Sequence, residues 1–165
     1  MGENDLEAWP RLLSRTRGFK THDCSLPGAT VKSALMQANE LPTQGGLVML
    51  EIGGNDLLGP TTVAEFSQGL EQLLQNVSVT NRPVLMFELP LPPFHNEYGR
   101  VQRRLAAKYQ VHLIPKRVFV SVLAADGATL DTIHLSKPGR ERMAEAVWTI
   151  ISPTYQGQTD KNKTP

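Results

Sequence analysis

Residues Val48–Gly59, VMLEIGGNDLLG, constrain the fold more than any other stretch of the chain. From Val48 to Ile52 only Glu51 is polar, the pattern of a strand covered on both faces, as in a parallel sheet. Gly53-Gly54 then allows a sharp backbone turn, and Asn55-Asp56 follow at the strand's carboxyl end. In an open α/β sheet that end is where ligands bind and chemistry is done. A second run of the same kind, Val84–Leu89 (VLMFEL), comes after the clearest helical pattern in the chain. There Val63, Phe66, Leu70, Leu73, Leu74 and Val77 recur at three- and four-residue steps.

The rest of the chain repeats this alternation. Ala8–Arg15 sets Trp9, Leu12 and Leu13 at helical spacing, with Pro10 in the first turn and Gly18 as a stop. Phe19–Ser25 reads as a short strand, and Ser25–Thr30 as a turn into a helix whose apolar face is Val31, Leu35 and Ala38. Pro90–Pro93 with Phe94-His95 forms a proline-rich loop on the same sheet edge as the glycine turn. Tyr98, Val101, Leu105 and Tyr109 mark another helix, Val111–Ile114 a strand, and Val118–Ala125 an apolar segment that fits helix or loop. The last helix starts near Pro138 and faces Met143, Val147, Ile150 and Ile151 inward. Strands alternating with amphipathic helices imply an α/β fold, a three-layer α/β/α sandwich around a parallel, flavodoxin-like sheet. Residues 1–155 are expected to form one domain. Residues 156–165 (QGQTDKNKTP) have nothing apolar to bury and are expected to be a disordered tail.

The chain has 165 residues, enough for one such domain with a sizeable core. With 17 basic against 16 acidic residues, the overall charge recommends neither nucleic acid nor an anionic membrane as partner. Cys24 is the only cysteine, so no internal disulfide forms, and no Cys/His cluster has zinc spacing. No apolar run has membrane-spanning length, and no signal-peptide pattern is present. Asn76-Val77-Ser78 and Asn162-Lys163-Thr164 match the glycosylation sequon, a pattern common by chance.

Far from the glycine turn, Asp131-Thr132-Ile133-His134 places a carboxylate three residues before an imidazole. Histidine exchanges protons near neutral pH, and a carboxylate on its other nitrogen fixes the tautomer and stabilises the imidazolium. Taken alone, Asp-x-x-His is equally a turn cap followed by a surface histidine. Asn55 at the sheet edge can donate its side-chain amide to an oxyanion, an interaction worth about 3 kcal/mol in a transition state; taken alone, Gly-Asn-Asp is also an ordinary turn. Gly28, at the mouth of a helix, can offer a backbone N–H to the same oxyanion or simply serve the turn after Pro27.

The joint occurrence carries more than each piece. Trp9-Pro10-Arg11-Leu12-Leu13, Ser25-Leu26-Pro27-Gly28-Ala29-Thr30, Glu51-Ile52-Gly53-Gly54-Asn55-Asp56 and Asp131-Thr132-Ile133-His134-Leu135 follow one another in order. Together they resemble the successive landmarks of the SGNH (GDSL-type) ester hydrolases, most closely the bacterial lysophospholipase, thioesterase and arylesterase-like branch. The resemblance extends to about Ile151 and implies the SGNH hydrolase fold and a small-molecule ester or thioester substrate, with no cofactor and no metal. By it His134 is the general base, Asp131 the acid that orients it, and Asn55 and Gly28 the side-chain and backbone donors to the oxyanion. Phe94 and His95 are expected to line the substrate pocket.

The family's nucleophile is the serine of a Gly-Asp-Ser motif at the end of its first strand, and the chain contains no Gly-Asp-Ser. Gly2-Glu3-Asn4-Asp5 offers no hydroxyl or thiol in its place. Ser14 falls within a helix pattern, Ser25 precedes the oxyanion turn, and Cys24 reads as a structural cysteine. The resemblance therefore implies a fold whose first strand and nucleophile motif lie beyond Met1, and a chain inactive as written. A non-catalytic binding module that keeps the ester pocket is the alternative function. A nucleotide-binding domain is a third, disfavoured because neither G-x-G-x-x-G nor a Walker lysine is present.

Overall fold

The computed structural model describes residues 8–42, 46–78, 82–90, 95–130 and 134–161. Contacts divide the chain into two compact units, one of residues 1–23 and 117–165 and the other of residues 24–116.

The second unit is built on a parallel sheet. Strand β1 is Val48–Leu50, β2 is Val84–Phe87 and β3 is His112–Ile114, in the spatial order β1-β2-β3. Val48 stands opposite Val84 and Leu50 opposite Met86; on the far side Leu85 pairs with His112 and Phe87 with Ile114. All four residues of β2 are buried, as an apolar run flanked by strands on both sides requires. Parallel neighbours need helical crossovers. Helix α4 (Val63–Val77) joins β1 to β2 and α5 (Asn96–Lys108) joins β2 to β3. Helix α4 opens with a reciprocal cap in which Thr62 and Glu65 each satisfy the other's backbone N–H. Its face of Phe66, Leu70, Leu73, Leu74 and Val77 is fully buried, together with Met86 and the Tyr98, Val101 and Leu105 face of α5. Helix α2 (Val31–Gln37), continued by a 3₁₀ turn at Ala38–Glu40, packs on α4. The approach is close at Gly69, where a Cβ would fall 2.6 Å from Cγ2 of Val31.

In the first unit α1 (Trp9–Arg17) ends at Gly18, whose left-handed φ of 73° directs its N–H to the Ser14 carbonyl. Helix α1 packs on the final helix, α7 (Lys137–Lys161). Phe19 stacks on Trp148 at 6.2 Å, and Arg17 lies over the same indole at 5.0 Å while pairing with Glu145. Helix α6 (Lys116–Leu123) joins the sheet to this unit and resolves the ambiguous apolar segment as helix.

One expectation differs from the structure. Phe19–Ser25 joins no ladder; its centre, Lys20-Thr21-His22-Asp23, is polar, and extended backbone becomes a strand only where a neighbour accepts its hydrogen bonds. The backbone of α7 is helical as far as Lys161.

Candidate active site

Gly53 closes β1 into a short helix, α3 (Gly54–Leu58), with φ of 106°. Only glycine fits there, because a Cβ would stand 2.9 Å from the Phe66 ring and 3.1 Å from Leu89. The turn presents Asn55 to solvent and drives Asp56 inside. Asn55 Nδ2 donates to the carbonyl of Ala29 at 2.9 Å, and Asp56 Oδ2 accepts from the N–H of Val31 at 3.0 Å. Two consecutive side chains thus fasten the segment that follows Gly28. Gly28 itself takes φ of 74°, with open space where a Cβ would point. The two expected oxyanion donors therefore belong to loops hydrogen-bonded to each other within one unit. A cavity of about 550 Å³ lies between α2 and α4, lined by Thr30, Lys32, Asp56, Thr61 and Gln68 among others, and neither Asn55 nor Gly28 lines it.

Burial pushes the Asp56 carboxyl above its ordinary range, partly countered by its bonds from Val31 and Thr61. An acid whose folded-state pKa is raised favours the fold below its unfolded pKa, and that contribution is lost as pH rises through the folded value. Asp56→Asn keeps an oxygen acceptor for Val31 and carries no charge. Urea midpoints across the acid-to-neutral range should therefore move in favour of the variant as pH rises. A stability difference that stays flat with pH would contradict the assignment.

At the carboxyl end of β2, two polar side chains hold the strand exit. Gln102, wholly buried on α5, donates to the Phe87 carbonyl at 3.0 Å and accepts from the Leu89 N–H at 2.9 Å. Glu88 pairs with Arg103 and accepts the Lys116 N–H at 3.1 Å. Leu89 in turn packs over Gly53, so this network reaches the glycine turn after β1. Gln102→Leu removes both bonds at once and should cost about 2 kcal/mol in chemical denaturation; an unchanged midpoint would show the bridge to be dispensable. In the sequence the only signal of this network is Glu88 within an otherwise apolar strand.

His134 lies in the first unit, exposed, near the end of the connection between α6 and α7. Thr129 bridges Leu135 antiparallel, and the Leu130 N–H donates to the His134 carbonyl at 2.8 Å. Ser136 clamps the base of the loop. Its N–H donates to Ala128 at 2.8 Å, and its hydroxyl donates to the Gly127 carbonyl while accepting the Gly139 N–H at 3.2 Å. Sequence reasoning passed over Ser136, although a serine three residues before a glycine at a helix start is a capping signal. Asp131, the expected partner of His134, lies outside the described residues, as do Thr132, Ile133, Phe94 and residues 2–5. His95 is exposed immediately before α5, 6.4 Å between ring centres from Tyr98.

Two further hydroxyl and thiol side chains were weighed in the sequence, Ser14 and Cys24. Ser14 Oγ donates to the Phe19 carbonyl at 2.5 Å, a helix-end bond, and Cys24 is half-buried rather than fully enclosed. Among the described residues no group of three His, Cys, Asp or Glu side chains could hold a metal ion. No described helix is long and apolar enough to cross a membrane.

Comparison with known proteins gives these features a context. The model of the GDSL-like Lipase/Acylhydrolase family matches residues 1–142. The thioesterase 1/protease 1/lysophospholipase L1 of Escherichia coli K12 is 30% identical over 155 residues, covering 88% of this chain and 74% of that one. Esterase TesA of Pseudomonas aeruginosa is 26% identical over 173 residues, covering 93% and 82%. Among solved structures, the psychrotrophic esterase EstA from Pseudoalteromonas superposes with a TM-score of 0.78 at 19% identity over 94% of this chain and 91% of that one. The crystal structure of TesA does so with 0.75 at 25% identity, over 93% and 92%. The parallel α/β fold expected from the strand and helix pattern is the fold of these esterases.

Proposed function

The chain belongs to the GDSL-like lipase/acylhydrolase family, and from that premise we propose that it is the acyl-handling body of a serine ester hydrolase acting on carboxylic esters or thioesters. In this reading a serine hydroxyl attacks the ester carbonyl and His134 takes its proton, with Asp131 orienting the imidazole. The carbonyl oxygen becomes an oxyanion held by the Asn55 amide and the Gly28 N–H. Collapse of the tetrahedral intermediate breaks the ester bond, and the leaving alcohol or thiol departs with the proton from His134. Water, deprotonated by the same imidazole, then releases the acid and regenerates the serine. The reaction as proposed uses no cofactor and treats residues 1–155 as one catalytic domain.

The observation that carries the reading is the bond from Asn55 Nδ2 to Ala29, which ties a side-chain donor to the loop of a backbone donor at the carboxyl end of a parallel strand. The names of the relatives, esterase and thioesterase/lysophospholipase, support the substrate class. The 165 residues contain no Gly-Asp-Ser, and in this reading the nucleophilic serine is supplied by a further segment. That same observation favours a second reading, a binding module that holds an ester or its product without turnover.

Hydrolysis of p-nitrophenyl esters of graded acyl length separates the two. The 165-residue chain should be silent. The same chain preceded by the strand and Gly-Asp-Ser segment of a related esterase should hydrolyse them. If the extended, folded protein binds the acyl product and still does not hydrolyse, the binding-module reading stands and the hydrolase reading fails.

A further inference from the structure

We propose that Tyr98 is a positioning residue for Asn55, holding the side-chain amide in place through the loop that leaves α3; this role presupposes the ester hydrolysis proposed above. Helix α3 is only five residues long, well below the length at which a helix stands by itself in water. The direction of Asn55 therefore depends on what grips the turn at its two ends. Tyr98, buried in the first turn of α5, grips both. At the entry its ring meets the Phe66 ring with centres 5.0 Å apart, and Phe66 is the side chain that a Cβ on Gly53 would strike at 2.9 Å. At the exit its hydroxyl donates to the Thr61 carbonyl at 2.5 Å.

The segment between α3 and Thr61 passes this restraint back to Asn55. Gly59 lies so close that a Cβ there would stand 2.7 Å from the Asn55 carbonyl oxygen, so the backbone of Asn55 is backed by the loop whose far end Tyr98 ties to α5. The bonds from Asn55 to Ala29 and from Val31 to Asp56 fasten α3 to the segment after Gly28. The Tyr98 hydroxyl fastens the same turn to α5, from a different element. The donor also keeps its proton. Burial, with Asp56, Glu65 and Glu97 adding negative charge nearby, pushes the phenol above its ordinary value, so the tether persists across the neutral range in which a histidine base works. A tyrosine that only filled the core would need its ring, with its hydroxyl merely satisfied; the positioning role needs the hydroxyl bond itself.

Tyr98→Phe separates the two, because it keeps the ring on Phe66 and removes only the tether. In the form supplied with a Gly-Asp-Ser segment, kcat for a p-nitrophenyl ester should fall by about tenfold, with KM little changed. In the Asn55→Ala background the same change should cost less than about twofold, because the group that Tyr98 positions is gone. An equal fall in both backgrounds is what a general structural role gives, and it would overturn the proposal. On the 165-residue chain, the Leu57 amide donates to the Gly53 carbonyl at 3.0 Å within α3. Its hydrogen exchange should be about fivefold faster in Tyr98→Phe than the change in global stability accounts for. Tyr109→Phe supplies the contrast. It removes a hydroxyl that bonds Glu71 and Gln75 at the other end of α5 and should leave Leu57 exchange at the rate set by global stability. Leu57 exchange unaltered by Tyr98→Phe, or quickened equally by Tyr109→Phe, would overturn the proposal. Exchange needs no turnover, so the two failures are distinguishable: an extended parent that does not hydrolyse while Leu57 exchange quickens would leave the tether standing and sink the proposed function.

Discussion

Gly139→Ala is expected to destabilise the first unit by on the order of 3 kcal/mol and to loosen the loop that ends at His134. A Cβ on Gly139 would stand 1.9 Å from the Ala128 carbonyl oxygen, 2.8 Å from its carbon and 3.1 Å from Cδ2 of Leu135. The obstacle is backbone, and that carbonyl already accepts the Ser136 N–H at 2.8 Å. It cannot retreat without breaking the clamp at the base of the loop. The helix-propensity gain of alanine over glycine, about 1 kcal/mol, does not offset this. Urea unfolding should show the loss, and amide exchange at Leu130 and Ser136 should accelerate beyond the change in global stability. A variant as stable as the parent would mean that α7 and the loop slide apart freely, and the clamp would lose its assigned role.

Asn55→Ala carries the second large effect, on catalysis rather than stability. In the form supplied with a Gly-Asp-Ser segment, kcat should fall by about two to three orders of magnitude with KM little changed, the signature of a donor used mainly in the transition state. Stability should fall by only about 1 kcal/mol, because Asn55 is exposed and loses a single bond to Ala29. Steady-state kinetics and denaturation on the same preparation separate the two effects. A kcat within tenfold of the parent would remove Asn55 from the oxyanion site.

The parts legible in the sequence are those whose signal is local. Helix α4 shows its buried face at every third or fourth residue, and β2 announces itself as an apolar run between Pro83 and Pro90 broken only by Glu88. Asn55 is visible because a glycine pair after a buried strand leaves little other than a turn at the sheet edge. Phe19–Ser25 was misread because strand formation depends on a neighbour's free hydrogen bonds, which lie elsewhere in the chain. Val118–Ala125 is apolar at nearly every position, so its period is hidden in the sequence. In the structure Val118, Phe119, Val122 and Leu123 form the shielded face of α6, while Val120 is an exposed apolar residue that masks the stripe. The supports of the site were equally silent. Gln102 and Ser136 act through backbone groups far along the chain or across a loop, and such partners are set by tertiary structure rather than by composition or spacing.

Covalent labelling with a fluorophosphonate tests the central claim most directly. The 165-residue chain should take up no label. Supplied with a strand and Gly-Asp-Ser segment, it should gain one phosphonyl group on the introduced serine, read by intact mass, and His134→Ala in that form should slow labelling by several orders of magnitude. Labelling of the chain without the segment, or labelling at an unchanged rate in His134→Ala, would contradict the assignment of base and nucleophile.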